Sequence, residues 1–307
     1  MKLKEYMNNS KKVAEFGIKY LDDKLKGILK GDLILLGARS GAGKSTIADI
    51  IATHNAKKGV KVTLISLENF EGDNFVAKAY YKYKELTKNY WLTIREFASG
   101  EFKINEQALQ EAEDYANKQY ENIYLINRQK DYTIEKLKED IVGAACNPEK
   151  KSELVIIDHI DYLDKDADTH NEIDHITKLV RTIRNAQYTF KVPVIAISHL
   201  RKSSLARDNV IIPGDDEFIG SSNKVKESTC VIVLAPDEKE NIDTMCDIRF
   251  TWCCIRKLRM GGFDYKAAQI AFNTKTGLYE PNYKEFKVNY SGTKVEEIPD
   301  KFFGFPG

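Results

Sequence analysis

Apolar residues along this chain follow two rhythms. Residues 33–36 and 154–157 are unbroken apolar runs, and residues 192–198 are nearly so, with Pro193 close to the start. Runs of that length predict strands covered on both faces, as in the middle of a parallel sheet. Residues 60–67 alternate and predict a second strand, and residues 122–126 a third. Helical spacing fills the intervals. Ile47, Ala48, Ile50 and Ile51 begin a helix that Lys58-Gly59 ends, and residues 133–142 predict another. Thr169-His-Asn-Glu172 has the form of a capping box, and Ile173, Ile176, Leu179, Val180, Ile183 and Ala186 then share one face. Residues 71–120 are also helical in pattern. Their Tyr80-Tyr-Lys-Tyr83 cluster and Tyr90-Trp91 read as packing residues rather than base-stacking platforms.

The second half differs. Residues 201–219 form a long polar loop, followed by strands at 229–234, 248–258 and 267–273 and a short piece near Leu278. Thr274-Lys-Thr-Gly277 joins the last two as a hairpin turn. Strand–helix alternation followed by a run of strands predicts an α/β fold. Its central sheet is mostly parallel and flanked by helices, with a C-terminal antiparallel extension. Residues 1–16 are expected as a polar lead-in or a segment that docks on a neighbouring subunit, 17–287 as the folded domain, with 17–29 a connector into its first strand, and 288–307 as a loosely held tail.

Composition narrows the class. The 307 residues suffice for one large α/β domain, and 42% apolar with 30% charged content excludes a disordered chain. A net charge of +1 offers no global attraction for nucleic acid, so any such contact must come from a local patch. The five cysteines form no C-x-x-C pair; zinc and redox motifs are not expected, and the scattered set suits a reducing cytoplasm. No apolar run is long enough to span a bilayer, and no signal peptide or membrane attachment is expected.

Candidate chemistry collects where strands end. The run after the first strand is Ala38, Arg39, Ser40, Gly41, Ala42, Gly43, Lys44, Ser45 and Thr46, leading into a helical pattern. Strand, glycine-rich loop and helix form the context of a phosphate-binding loop: backbone N–H groups line the turn, Lys44 reaches the β- and γ-phosphates of ATP, and Ser45 coordinates Mg²⁺. The match departs from G-x-x-x-x-G-K-[ST] at Ala38, with Gly37 one place early. Glu68 follows the second strand on the ligand-binding edge, where a catalytic role is expected. Asp158 ends the apolar run 154–157, as a magnesium-holding aspartate does in nucleotide sites. His199 reads equally as a γ-phosphate sensor or a structural histidine. Arg201, Lys202 and Arg207 in the long loop are candidate phosphate contacts for a nucleic acid; Asp215, Asp216 and Glu217 are not. Lys257 and Arg259, taken alone, read as a solvated basic strand end.

Together these segments resemble the RecA-fold ATPase domain of DnaB-type replicative hexameric helicases, including the helicase half of phage primase-helicases. Residues 38–46 look like that family's phosphate loop, where alanine is usual in the place of Ala38. Ser66-Leu-Glu68 resembles its S-L-E motif, whose glutamate activates the attacking water. Ile156-Ile-Asp158 with Tyr162-Leu163 is similar to its magnesium motif, although His159 stands where the family usually has tyrosine. Residues 194–200 look like the strand that ends in the γ-phosphate sensor, and Gly220-Ser221-Ser222 with Lys224 and Glu227 resembles the segment after the DNA-binding loop. Lys257-Leu-Arg259 with Gly261-Gly262 is similar to the element that reaches the neighbouring subunit's nucleotide. The resemblance implies a RecA-like P-loop NTPase that uses ATP and Mg²⁺. It implies a hexameric homo-oligomer on single-stranded DNA, with a primase or helicase loader as partner, working in the cytoplasm. Three rival readings differ in kind. A recombinase- or clock-type ATPase would assemble without unwinding, a small-molecule kinase would be monomeric and indifferent to DNA, and an inactive binding module would have no use for Lys44, Glu68 and Asp158.

Overall fold

In the computed structural model the apolar runs lie at the centre of one ten-stranded sheet. The structure describes residues 3–4, 7, 10–68, 72–128, 130–149, 151–165, 171–201, 211–218, 221–242, 247–259, 261 and 266–298. In chain order the elements are β1 (Lys12–Ala14), α1 (Lys19–Leu25), β2 (Ile28–Leu29), β3 (Leu33–Ala38), α2 (Lys44–Lys57), β4 (Val62–Ser66), α3 (Asp73–Thr87), α4 (Ile94–Ser99), α5 (Glu106–Tyr120), β5 (Ile123–Asn127), α6 (Ile134–Cys146) and β6 (Leu154–Asp158). There follow α7 (Glu172–Phe190), β7 (Val194–His199), α8 (Ser221–Glu227), β8 (Cys230–Pro236), β9 (Ile248–Leu258), β10 (Lys266–Asn273), β11 (Leu278–Val288) and β12 (Val295–Glu297). The spatial order is β12-β11-β10-β9-β8-β3-β7-β6-β4-β5. Neighbours from β8 through β5 run parallel, and neighbours from β8 through β12 run antiparallel. The parallel core with its antiparallel extension is the architecture expected from the sequence.

The unbroken apolar runs have a plain cause. Successive side chains of a strand point to opposite faces, and here both faces are covered. Leu33 and Leu35 of β3 join one buried cluster with residues of α6 and α7. Ile34, Leu36 and Ala38 join the other, with residues of α1 and α2. A third, aromatic cluster holds α3, α4 and α5 together: Tyr80 and Tyr83 are buried there against Phe97 and Phe102. These two tyrosines pack as expected, whereas Trp91 is 83% exposed. Asp49 of α2 ties this layer to the core, pairing with Lys78 of α3 at 2.6 Å and accepting a hydrogen bond from the Tyr120 hydroxyl of α5.

Several boundaries differ from the sequence reading. Residues 17–29 contain α1 and β2 rather than a plain connector. Residues 12–14 form β1, which pairs with β2, and Ala14 and Phe16 are buried in the core. The helix after residue 170 is capped by Asn171, whose side-chain oxygen accepts the Asp174 N–H at 2.8 Å; Thr169 and His170 lie outside the described residues. Ile173 is exposed, while Ile176, Leu179, Val180, Ile183 and Ala186 are buried as the periodicity predicts. The short piece near Leu278 is the eleven-residue β11, and Val295–Glu297 extends the sheet as β12.

The frame of the loop after β3 follows from packing. A Cβ at Gly37 would lie 2.3 Å from Phe218 Cζ and 2.7 Å from Leu200 Cδ2. Ala38 points the other way, into the second cluster, where a methyl group fits. Glycine is therefore required one place earlier than the general phosphate-loop pattern asks. Gly37→Ala is expected to lower stability by about 1–3 kcal/mol through overpacking. Denaturant unfolding measures this; an unchanged midpoint would show that Phe218 yields freely.

Candidate active site

The carboxyl ends of β3, β4, β6 and β7 meet at one edge of the sheet, the edge where open α/β sheets take ligands. After β3 the chain turns sharply. The Arg39 N–H donates to the Leu234 carbonyl and the Ala42 N–H to the Arg39 carbonyl, both at 3.1 Å. Gly41 and Gly43 adopt φ of +79° and +77°, a region that suits glycine. Gly43 is the N-cap of the 14-residue α2, and no side chain caps it. The first amides of this helix and its dipole therefore face the loop, the usual arrangement for holding phosphate. Lys44, at the first helical position, is only 8% exposed and forms no ion pair among the described residues.

The acidic side is built from β6 and β4. Asp158 is 2% exposed. Burial pushes its carboxyl up, and a hydrogen bond from Ser45 offsets part of that. Among the described residues its Oδ1 has no hydrogen-bond partner. A buried carboxylate beside a serine hydroxyl, with an oxygen left over, fits Mg²⁺, a cation that prefers oxygen donors. The peptide joining Asp158 to His159 is cis. The Leu67 N–H donates to the Asp158 carbonyl at 2.6 Å, which sets the chain just before Glu68. Glu68 is exposed, and its Oε2 lies 3.4 Å from His159 Nε2.

His199 ends β7, paired in register with Ala38. Its backbone N–H donates to Asp161 Oδ2 at 2.6 Å, and its ring lies 4.2 Å from the His159 ring, edge to face. Burial pushes the His199 imidazole below the ordinary histidine value, helped by His159 and Lys44 and opposed by Asp161 and Glu68. Donor atoms of Glu68, His159 and His199 lie within 4.8 Å of one another, a set that a transition-metal ion would also accept.

The structure thus brings together Lys44, Ser45, Glu68, Asp158 and His199. Other candidates lie apart. Arg39 turns its guanidinium to Glu217, with Nη2 to Oε1 at 2.9 Å and Nε to Oε2 at 3.1 Å. Arg201 is exposed and reaches Glu172 at 3.4 Å; Lys202, Arg207, Gly220 and Gly262 lie outside the described residues. Lys257 and Arg259 sit at the opposite edge of the sheet. Leu258 pairs with Cys230, which pairs with Ile34 near the start of β3, whereas the phosphate loop leaves from its end. Lys257 Nζ donates to the Val225 and Lys226 carbonyls of α8 at 2.5 and 3.2 Å, while the Arg259 side chain is exposed. Arg184 joins them in a basic cluster with Glu227 nearby.

Sequence reasoning missed Asp161, and it named His159 and Lys224 only through the family resemblance, without their contacts. His159 is 1% exposed, between Glu68 and Asp161, whose Oδ2 lies 3.5 Å from His159 Nδ1. Asp161 follows Asp158 by three positions, and Lys224 of α8 pairs with it at 2.6 Å. A lysine with no exposed surface is the signal, and only the fold reveals it.

Comparison with known proteins follows the same lines. The family model for the DnaB-like helicase C terminal domain matches residues 14–280. No curated protein sequence matches the chain significantly. Among solved structures the chain is similar to a DnaB-like replicative helicase, described with its interactions with primase, at a TM-score of 0.73 and 17% identity. That match covers 90% of this chain and 64% of the other, so the chain spans less than two thirds of that relative's length. It is similar to a second solved structure, an ATPase domain by its description, at a TM-score of 0.72 and 16% identity, covering 90% and 94% of the two chains. It is also similar to the KaiC-like protein PH0186 from the archaeon Pyrococcus horikoshii OT3, at a TM-score of 0.52 and 14% identity, covering 94% and 100%. Among the described residues no helix is long and apolar enough to cross a membrane. Likeness at such identities speaks for a RecA-like fold; the family model, which takes in the phosphate loop, Glu68, Asp158 and His199, speaks for more, and the chain belongs to the DnaB-like helicase C-terminal domain family.

Proposed function

We propose that this chain is an ATP-driven motor that assembles as a ring, most simply a hexamer, draws single-stranded DNA through it and unwinds duplex DNA during replication. One observation carries the reading: Lys44, Glu68 and Asp158 lie at one edge of the sheet and the Lys257–Arg259 strand end at the other. A single subunit cannot bring the two together, but neighbours in a ring can. The similar helicase described with primase supports a primase or loader as partner.

Lys44 and the amides at the start of α2 bind the β- and γ-phosphates. Ser45 and, through water, Asp158 would hold Mg²⁺, which would supply neutralisation of the phosphate charge. Glu68 orients the attacking water and accepts its proton. His199, on the strand beside β3, reports the γ-phosphate to the segment that follows it. Arg259 stabilises transition-state charge in the neighbouring site, the arginine-finger device worth roughly 10³–10⁵ in rate. Lys257, whose ammonium is engaged by α8, positions that strand end. Arg201, Lys202 and Arg207 are the proposed contacts to the DNA backbone, so binding is largely sequence-blind and salt-sensitive.

Lys44→Ala is expected to abolish ATP turnover. Glu68→Gln should keep nucleotide binding while turnover drops on the order of 10²–10⁴-fold, as for loss of a general base; undiminished steady-state turnover would remove Glu68 from that role. Arg259→Ala should be inactive alone and regain partial activity when mixed with Glu68→Gln, because in mixed rings some interfaces then carry both intact halves. No recovery in rings proven to be mixed would contradict the trans assignment.

A further inference from the structure

The buried polar cluster behind Glu68 continues past the residues that meet nucleotide. Lys224 of α8 has no exposed surface. Its Nζ donates to Asp161 Oδ1 at 2.6 Å and to Ser198 Oγ at 2.9 Å. The other carboxylate oxygen of Asp161 accepts the backbone N–H of His199 at 2.6 Å and lies 3.5 Å from His159 Nδ1. His159 Nε2 in turn lies 3.4 Å from Glu68 Oε2, and among the described residues neither ring nitrogen makes a hydrogen bond. Hydrogen bonds therefore run from α8 through Asp161 to His199, and close polar contacts of 3.4–3.5 Å lead on through His159 to the exposed glutamate. Burial pushes the Asp161 carboxyl up, but His159, Lys224 and the His199 N–H outweigh it and hold the group well below the usual carboxylate range.

A largely buried ion pair, here with Lys224 enclosed and the Asp161 side chain 14% exposed, seldom stabilises a fold more than an apolar pair of the same size would. Its presence behind the hydrolytic groups therefore points to a task other than holding the fold together. The location supplies one. α8 comes directly after the segment 201–220, and its last carbonyls are held by Lys257 from the basic strand end. Helix α8 and strand β7 thus share the Asp161 carboxylate, and Glu68 lies one residue further on, against His159.

We propose that Asp161 and Lys224 are positioning residues for hydrolysis: the pair holds His199 and, through His159, Glu68 in working geometry while α8 is seated. This rests on the reading of Glu68 as the base. The test uses the apolar double variant Asp161→Leu/Lys224→Met beside the single variants, in the full-length protein. Each single variant strands a buried partner and should unfold more readily. The double variant should recover wild-type thermal stability and bind a non-hydrolysable ATP analogue within about threefold of wild type, yet turn over at least about tenfold more slowly at unchanged KM, since small misplacement of catalytic groups is costly. Recovery of turnover together with stability would overturn the proposal, because the pair would then be only structural. Exchange of the His199 amide gives a second readout that does not depend on turnover. Protection should be lost in the folded double variant, and retained protection would also overturn the proposal. A wild type that binds ATP without hydrolysing it would instead sink the hydrolase reading, leaving the amide to decide whether the pair holds the strand.

Discussion

Five neighbouring strands, β8 through β4, are covered by side chains on both faces, and this constraint organises the molecule. A charge has no place within such a layer, so polar groups gather at strand ends or are paired where they are buried. The pairs are consistent with this: Asp49 with Lys78, Arg39 with Glu217, Asp161 with Lys224. Among the described residues Lys44 forms no ion pair and Asp158 Oδ1 no hydrogen bond. Both lie at the edge where the helix amides of α2 face the loop, and a phosphate with its cation would satisfy them together.

The segment after β7 is anchored to this edge. Leu200 bridges to Phe218, the Arg201 N–H donates to the Glu217 carbonyl, and Glu217 grips Arg39 inside the phosphate loop. Phe218 lies over Gly37, where any side chain would collide. The two ends of the long loop are therefore stapled to the phosphate loop by charge and shape, and α8 continues from there into the buried Lys224 contact. In the proposed motor, a change at the γ-phosphate has a short mechanical route into the DNA-facing segment.

The sequence carried the fold well because two-sided burial writes long apolar runs, as at 33–36 and 154–157, and helical faces such as that of α7 write their own spacing. The site was readable wherever chemistry sits at a strand end: Lys44, Glu68, Asp158 and His199 each terminate or follow an apolar run. What escaped depends on contacts distant in sequence. Arg39 looks like a phosphate ligand until Glu217, far along the chain, is found against it. Lys224 enters the sequence reading only as part of the segment after the long loop, and nothing there shows that the fold buries it on Asp161. β1, β2 and α1 were too short for their periodicity to register, and β12 owes its existence to pairing with β11 rather than to its own pattern.

The central claim is that nucleotide hydrolysis here drives movement on DNA. The most direct measurement is steady-state ATP hydrolysis with and without single-stranded DNA, at low and moderate salt. The account predicts several-fold stimulation by DNA that fades as salt rises, since the contacts are to phosphate. Equal turnover with and without DNA, from a protein that stays monomeric, would contradict it.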